Sequence, residues 1–210
     1  MILLLCAKIV RIFLTVRLAK LKPPLYNYKY TFKFLIESTL NDKGVNRMYD
    51  MIKRTACFSG HRISRLPKGA AGMRELSAQL QLCVSHAIQD GYDSFLYGGC
   101  QGFDLLAADA VLSEKRMGAP VRLIAVIPFP EQSRRWNAAE RMSYDRILNA
   151  CDKKIVLNPA YIQGCYHQRN RYMVDHSSLL ICFYDGGRGG TAYTVNYAKE
   201  KQLEISNLYR

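Results

Sequence analysis

The sequence lacks the marks of a metal or disulfide framework: it has no CxxC pair and no cysteine with a histidine partner at metal-ligand spacing. Its seven cysteines (Cys6, Cys57, Cys83, Cys100, Cys151, Cys165 and Cys182) are scattered singly, several of them inside apolar runs. That usage points to reduced, buried thiols and a cytoplasmic setting, and we expect no metal and no cofactor. Long apolar runs are missing too. Residues 1–19 are apolar but interrupted by Lys8, Arg11 and Arg17, so no stretch reaches the length of a membrane span. Those charges fall within the apolar run rather than ahead of it, which argues against a secretory signal.

Acidic residues are scarce, with 17 Asp and Glu against 30 Lys and Arg, a net charge of +13. Clustered cations favour nucleic acid through counterion release. Here, however, residues 1–50 carry nine Lys and Arg against three Asp and Glu, so nearly half the excess lies there. The remaining +7 includes no run of more than two basic residues. The charge reads as a solvated basic surface, and nucleic acid is the lesser expectation.

At 210 residues and 49% hydrophobic content, the chain can bury the core of one sizeable domain. We read residues 51–210 as that domain. Residues 1–50 are read as an extension, either a start-site artefact upstream of Met48 or Met51 or a disordered arm, with a basic amphipathic arm on anionic membrane as the alternative. Within the extension, Tyr26, Tyr28, Tyr30 and Phe32 alternate as in a strand, and Asn41-Asp42-Lys43-Gly44 reads as a turn.

From Thr55 onward, short apolar runs alternate with helical patterns, the signature of a mainly parallel sheet covered on both faces. Strands are expected over 55–59, 94–97, 121–127, 154–157, 178–184 and 204–206, with helices over 67–91, 103–117, 131–150, 163–176 and 191–201. The fold class is therefore α/β, a Rossmann-like doubly wound sheet of five to six strands. In such sheets ligands bind outside the carboxyl ends of the strands.

Three strand ends carry informative residues. The first strand runs into Ser59-Gly60-His61-Arg62, where glycine permits close approach and the histidine and arginine can pair with an anion. The second runs into Gly98-Gly99-Cys100-Gln101-Gly102-Phe103-Asp104, a glycine-rich helix start of the kind whose unpaired amides bind phosphate. The motif G-x-G-x-x-G is absent, which disfavours an ordinary dinucleotide dehydrogenase. The fifth runs into Asp185-Gly186-Gly187-Arg188-Gly189-Gly190-Thr191, where four glycines exceed what a turn requires and Thr191 can both cap the helix and meet a phosphate oxygen. The expected ligand-binding set is Gly60, His61, Arg62, Gly98, Gly99, Gly102, Asp104, Arg169, Asp185, Gly189, Gly190 and Thr191, with no catalytic residue assigned. Arg171 is a further candidate contact. Trp136, the only tryptophan, lies among Arg134, Arg135 and Arg141, where it is a core anchor or a platform for a base.

Taken in order, these motifs resemble the SLOG superfamily, which groups DprA with the Lonely Guy proteins, and within it the YpsA-like branch. The likeness also rests on Tyr97, Ala107-Ala108, Ile127-Pro128-Phe129, Arg169-Asn170-Arg171-Tyr172-Met173-Val174-Asp175, Tyr184 and Tyr197-Ala198. It implies a Rossmann-like fold of bacterial and phage genomes that binds nucleotides or NAD-derived ligands, commonly as a sensor. The Lonely Guy hydrolases carry an arginine where Arg169 stands and a glutamate where this chain has Thr194, and their motif proline is replaced by Tyr184-Asp185. A threonine has no carboxylate to serve hydrolysis, so binding is favoured over catalysis. The expected partner is a nucleotide or nucleotide-derived small molecule, and a homodimer is compatible with it. The alternatives are a nucleotide N-glycosidic-bond hydrolase using Asp104, Asp175 or Asp185, and a DprA-like single-stranded DNA-binding protein.

Overall fold

The computed structural model describes residues 42–209. The strand expected around Tyr26–Phe32, and Cys6, lie outside those residues. The chain divides into two compact units, Met1–Arg47 and Met48–Arg210, of which the second is the α/β domain.

Helix α1 (Asp42–Lys53) occupies the place where a turn is expected at 41–44. Gly44 costs about 1 kcal/mol in a helix interior, and the helix forms nonetheless, with Met48 and Ile52 half-buried four residues apart. Its last turn is tied into the domain: Thr55 Oγ1 donates to the Met51 carbonyl (2.7 Å) and Ser178 Oγ to that of Lys53 (2.9 Å).

Strand β1 (Thr55–Gly60) leads through a single 3₁₀ turn (Ile63–Arg65) to α2 (Gly69–Gln89), then β2 (Ser94–Tyr97), α3 (Phe103–Arg116) and β3 (Arg122–Ile127). There follow α4 (Ala138–Ala150), β4 (Lys153–Val156), α5 (Cys165–Asp175), β5 (Leu179–Phe183), α6 (Gly190–Glu200) and β6 (Glu204–Asn207). Helix α4 starts seven residues later than the expected 131. Asn137 is the reason: its Oδ1 accepts from the Glu140 amide (2.9 Å) while Glu140 Oε2 accepts from the Asn137 amide (3.2 Å), a reciprocal cap that sets the helix start.

All six strands are parallel, in the order β4-β3-β2-β1-β5-β6. The chain winds outward from β1 to β4, then crosses back to place β5 against the free side of β1. That reversal makes the β1/β5 junction the topological switch point, where the loops after the two strands part and leave a crevice.

Strand residues alternate between two cores, as period-two geometry requires. Ala56, Phe58, Phe95, Tyr97, Leu123, Ala125, Leu179 and Ile181 pack with α2, α3 and α4 on one face. Cys57, Leu96, Val126, Leu180 and Cys182 pack with Met173 and Val174 of α5 and Val195 and Ala198 of α6 on the other. A sheet buried on both faces explains why these strands read as continuous apolar runs. The six described cysteines are all free, and burial pushes the thiols of Cys57 and Cys182 up to about 12, which leaves them unreactive packing groups. No described helix is long and apolar enough to cross a membrane.

Candidate functional site

A cavity of about 240 Å³ opens at the switch point, lined by the end of β1 (Ser59, Gly60, His61, Arg62), by Cys100 and Asp104, by Tyr166, Arg169 and Asn170 of α5, and by Gly189, Gly190 and Thr191 at the start of α6. Of the sequence-expected residues, Gly60, His61, Arg62, Asp104, Arg169, Gly189, Gly190 and Thr191 therefore converge on one space.

Gly98, Gly99 and Gly102 are absent from the lining, and each makes room for protein instead. A β-carbon at Gly98 would overlap the guanidinium of Arg169. At Gly99, with φ +64°, it would lie 2.8 Å from Gln132 Nε2, and at Gly102, with φ +88°, 2.6 Å from the His61 carbonyl. The loop's amides are also in use: the Cys100 N–H donates to Asp104 Oδ2 (3.2 Å), so the protein's own carboxylate stands where an external anion would be expected. Gly60 is glycine for a similar reason, since the Phe103 ring fills the space of its missing side chain.

Arg169 is 4% exposed and organises the floor of the cavity. Its Nε donates to Asn170 Oδ1 (2.7 Å), one terminal nitrogen donates to Cys100 Sγ (3.1 Å), and the other lies 3.8 Å from Asp104 Oδ2 without a hydrogen-bond partner. Asn170 in turn donates to Thr194 Oγ1 (2.8 Å), which donates to the Gly190 carbonyl (2.9 Å). Thr194 is thus fully buried and engaged as a strut between α5 and α6, outside the cavity. Burial pushes the Asp104 carboxyl above the ordinary carboxylate range, and the charge of Arg169 only partly opposes it.

The second glycine loop is built differently. His61, buried beneath it, holds Nε2 2.8 Å from Asp185 Oδ1, and Arg65 reaches the same carboxylate at 2.5 Å and the Arg188 carbonyl at 3.3 Å. The Gly187 amide closes the turn onto Asp185 Oδ1 (2.9 Å). That amide, with Arg65 and His61, holds the Asp185 carboxyl down at about 2. Asp185 is a brace for the loop and does not line the cavity. With the loop so held, α6 begins at the cavity with Gly189 as its cap and no side chain closing its first turn. The first amides of a helix have no intrahelical acceptor, so they, and the positive end of the helix dipole, are available to an anion.

Arg65, Cys100, Tyr166 and Asn170 are not among the sequence-expected residues. The signal for Asn170 is its place beside Arg169; Arg65 is separated by 120 residues from the carboxylate it holds, and no local pattern marks it. Arg171 is exposed and donates to the Tyr193 hydroxyl (3.1 Å), away from the cavity. Asp175 accepts from Tyr197 and pairs with Lys201.

Residues 56–209 match the YspA SLOG family. The chain belongs to that family. Among its relatives, the uncharacterized SPbeta prophage-derived protein YoqJ of Bacillus subtilis is 34% identical over 125 residues, covering 52% of this chain and 71% of that protein. A UPF0398 protein of Halalkalibacterium halodurans is 27% identical over 150 residues, covering 70% and 79%. Among solved structures, DNA processing protein A of Helicobacter pylori, described for its single-stranded DNA binding mode, superposes with a TM-score of 0.53 at 16% identity, covering 78% of this chain and 68% of that one. The DprA of Streptococcus pneumoniae gives 0.52 at 17%, and the match spans about half of its length (51%). At these identities the likeness is one of fold.

Proposed function

We propose that this SLOG protein is a cytoplasmic regulatory protein whose domain, residues 51–210, binds a nucleotide or nucleotide-derived ligand by its phosphate at the start of α6. The observation that carries this reading is the open first turn of α6 facing a cavity that also presents His61, Arg62 and the buried Arg169. Arginine is suited to phosphate by its planar fork of donors. The Cys100 amide of the first glycine loop is taken by Asp104, which leaves the second loop as the phosphate cradle, and Gly98, Gly99 and Gly102 act by making room for Arg169, Gln132 and the His61 backbone.

A thermal-shift screen of the full chain against AMP, NAD, ADP-ribose and ribose 5-phosphate tests the reading. Stabilisation by phosphorylated ligands and none by adenosine supports it; stabilisation by none of them overturns it.

A second reading is favoured by one observation. Asp104 is a buried carboxyl in the cavity lining with its pKa pushed upward, the condition of a general acid. Of the three carboxylates considered for N-glycosidic hydrolysis, it alone lines the cavity. Release of base from a nucleoside monophosphate, abolished in Asp104→Asn, would establish hydrolysis; no release over many hours leaves the binding reading.

A further inference from the structure

Beside the phosphate cavity lies a larger one, of about 690 Å³, formed by the segment that follows β3, by Tyr161 and by Tyr166 in the first turn of α5. Its walls are aromatic: Phe129, Trp136, Tyr161 and Tyr166. Phe129 meets Tyr161 and Tyr166 edge-on, with ring centroids 5.5 and 5.9 Å apart, and Trp136 is braced edge-on against Tyr144 at 5.3 Å. Tyr166 lines both cavities, so the two adjoin. The larger one is not simply apolar. Gln132, 5% exposed, belongs to its wall; its Nε2 donates to Tyr144 Oη (3.0 Å) and the Gly99 carbonyl (3.3 Å), while its Oε1 is buried without a donor. An orphaned buried acceptor costs roughly 1–3 kcal/mol, and a ligand offering an N–H would relieve it. Arg134 and Arg135 stand exposed at the rim.

Flat aromatic walls, an unpaired acceptor and adjoining arginines are together the chemistry that recognises a heteroaromatic ring bearing N–H groups. We propose that this cavity holds the base of the same ligand whose phosphate sits at the start of α6, with Tyr166 at the boundary between the two. The inference rests on the phosphate reading above and adds that the ligand is recognised at both ends. Trp136, placed in sequence as either core anchor or stacking platform, then serves as both.

The chain's single tryptophan makes the test direct, because all indole emission reports on this cavity. The full chain is titrated with AMP, GMP, CMP and UMP, and in parallel with ribose 5-phosphate, following tryptophan fluorescence and the heat of binding. The expected result is saturable quenching by at least one nucleoside monophosphate that binds tenfold or more tighter than ribose 5-phosphate, which itself binds without quenching. Tyr161, 63% exposed, can be replaced without opening the core; Tyr161→Ala weakens the nucleotide several-fold and leaves ribose 5-phosphate unchanged. Equal affinities with unchanged fluorescence would place the base elsewhere and overturn this proposal alone. Binding of neither ligand overturns it together with the phosphate reading, and if a short oligodeoxynucleotide titrated in the same way quenches while no monophosphate does, the proposal is overturned in favour of a nucleic-acid strand.

Discussion

Asp104, in the cavity lining, and Asp185, which braces the second glycine loop, are shifted in opposite directions, and the signs separate their roles. Asp185 is held down at about 2. Its contribution to stability is present above the unfolded-chain value near 3.8 and is lost as pH falls through about 2. Asp104 is raised, so the folded state binds its proton more tightly than the unfolded chain does; stability falls as pH rises from about 3.8 through the folded value. Urea unfolding of wild type and Asp104→Asn across the acid range should show a falling limb in the wild type that the variant lacks. A limb of the same slope in both would assign the effect to another group.

Gly98 and Gly190 look alike in sequence, and the structure distinguishes them. A β-carbon at Gly98 meets the Arg169 guanidinium, whereas one at Gly190 meets nothing within 4 Å. Gly98→Ala should therefore displace Arg169 and cost about 1–3 kcal/mol, the range of overpacking, read as a lowered Tm. A wild-type Tm in Gly98→Ala would show that Arg169 has another place to go. Positions needing glycine are legible in sequence, because turns and close approaches have few other solutions. What each glycine approaches is not legible, since Arg169 arrives from 71 residues further along the chain.

At the level of elements, strand and helix identity is carried by local pattern, and the run 94–97 falls at the observed limits of β2. The differences lie where a side chain outvotes the pattern. Helical spacing over 131–150 is interrupted by the reciprocal cap of Asn137 and Glu140, and Glu140 Oε2 also accepts from Gln101 Nε2 (2.6 Å), tying the start of α4 to the loop after β2. Asn137→Ala should cost about 1 kcal/mol, a drop of several degrees in Tm. Because the cap is exposed, this loss should come without any change in ligand affinity; a change in affinity would mean that the cap also sets the shape of the aromatic cavity.

At the level of the whole molecule, the switch point is the consequence of strand order, and strand order is the part least visible in sequence. Six parallel strands could be wound in several ways; the return of the chain after β4 to the side of β1 brings His61, Arg169 and the start of α6 together. Helix α1 bears on where this domain ends. The bonds from Thr55 and Ser178 to its last turn involve residues 51 and 53, so a chain starting at Met48 keeps them and should melt as the full chain does. Aggregation or a large loss of Tm on removing residues 1–47 would show that those residues support the domain.

The central claim, that an anionic ligand sits against the first amides of α6, is tested most directly by Gly190→Val. The space around Gly190 is open and its φ is not in the left-handed region, so the variant should fold. Its side chain would enter the room a phosphate needs. Isothermal titration of AMP, or of whichever phosphorylated ligand the screen selects, into wild type and variant, with melting curves on both, is expected to show an unchanged Tm and a Kd raised more than tenfold, about 1.4 kcal/mol or more. An unchanged Kd in a folded Gly190→Val protein would contradict the account, and would mean that the second glycine loop is a turn and nothing more.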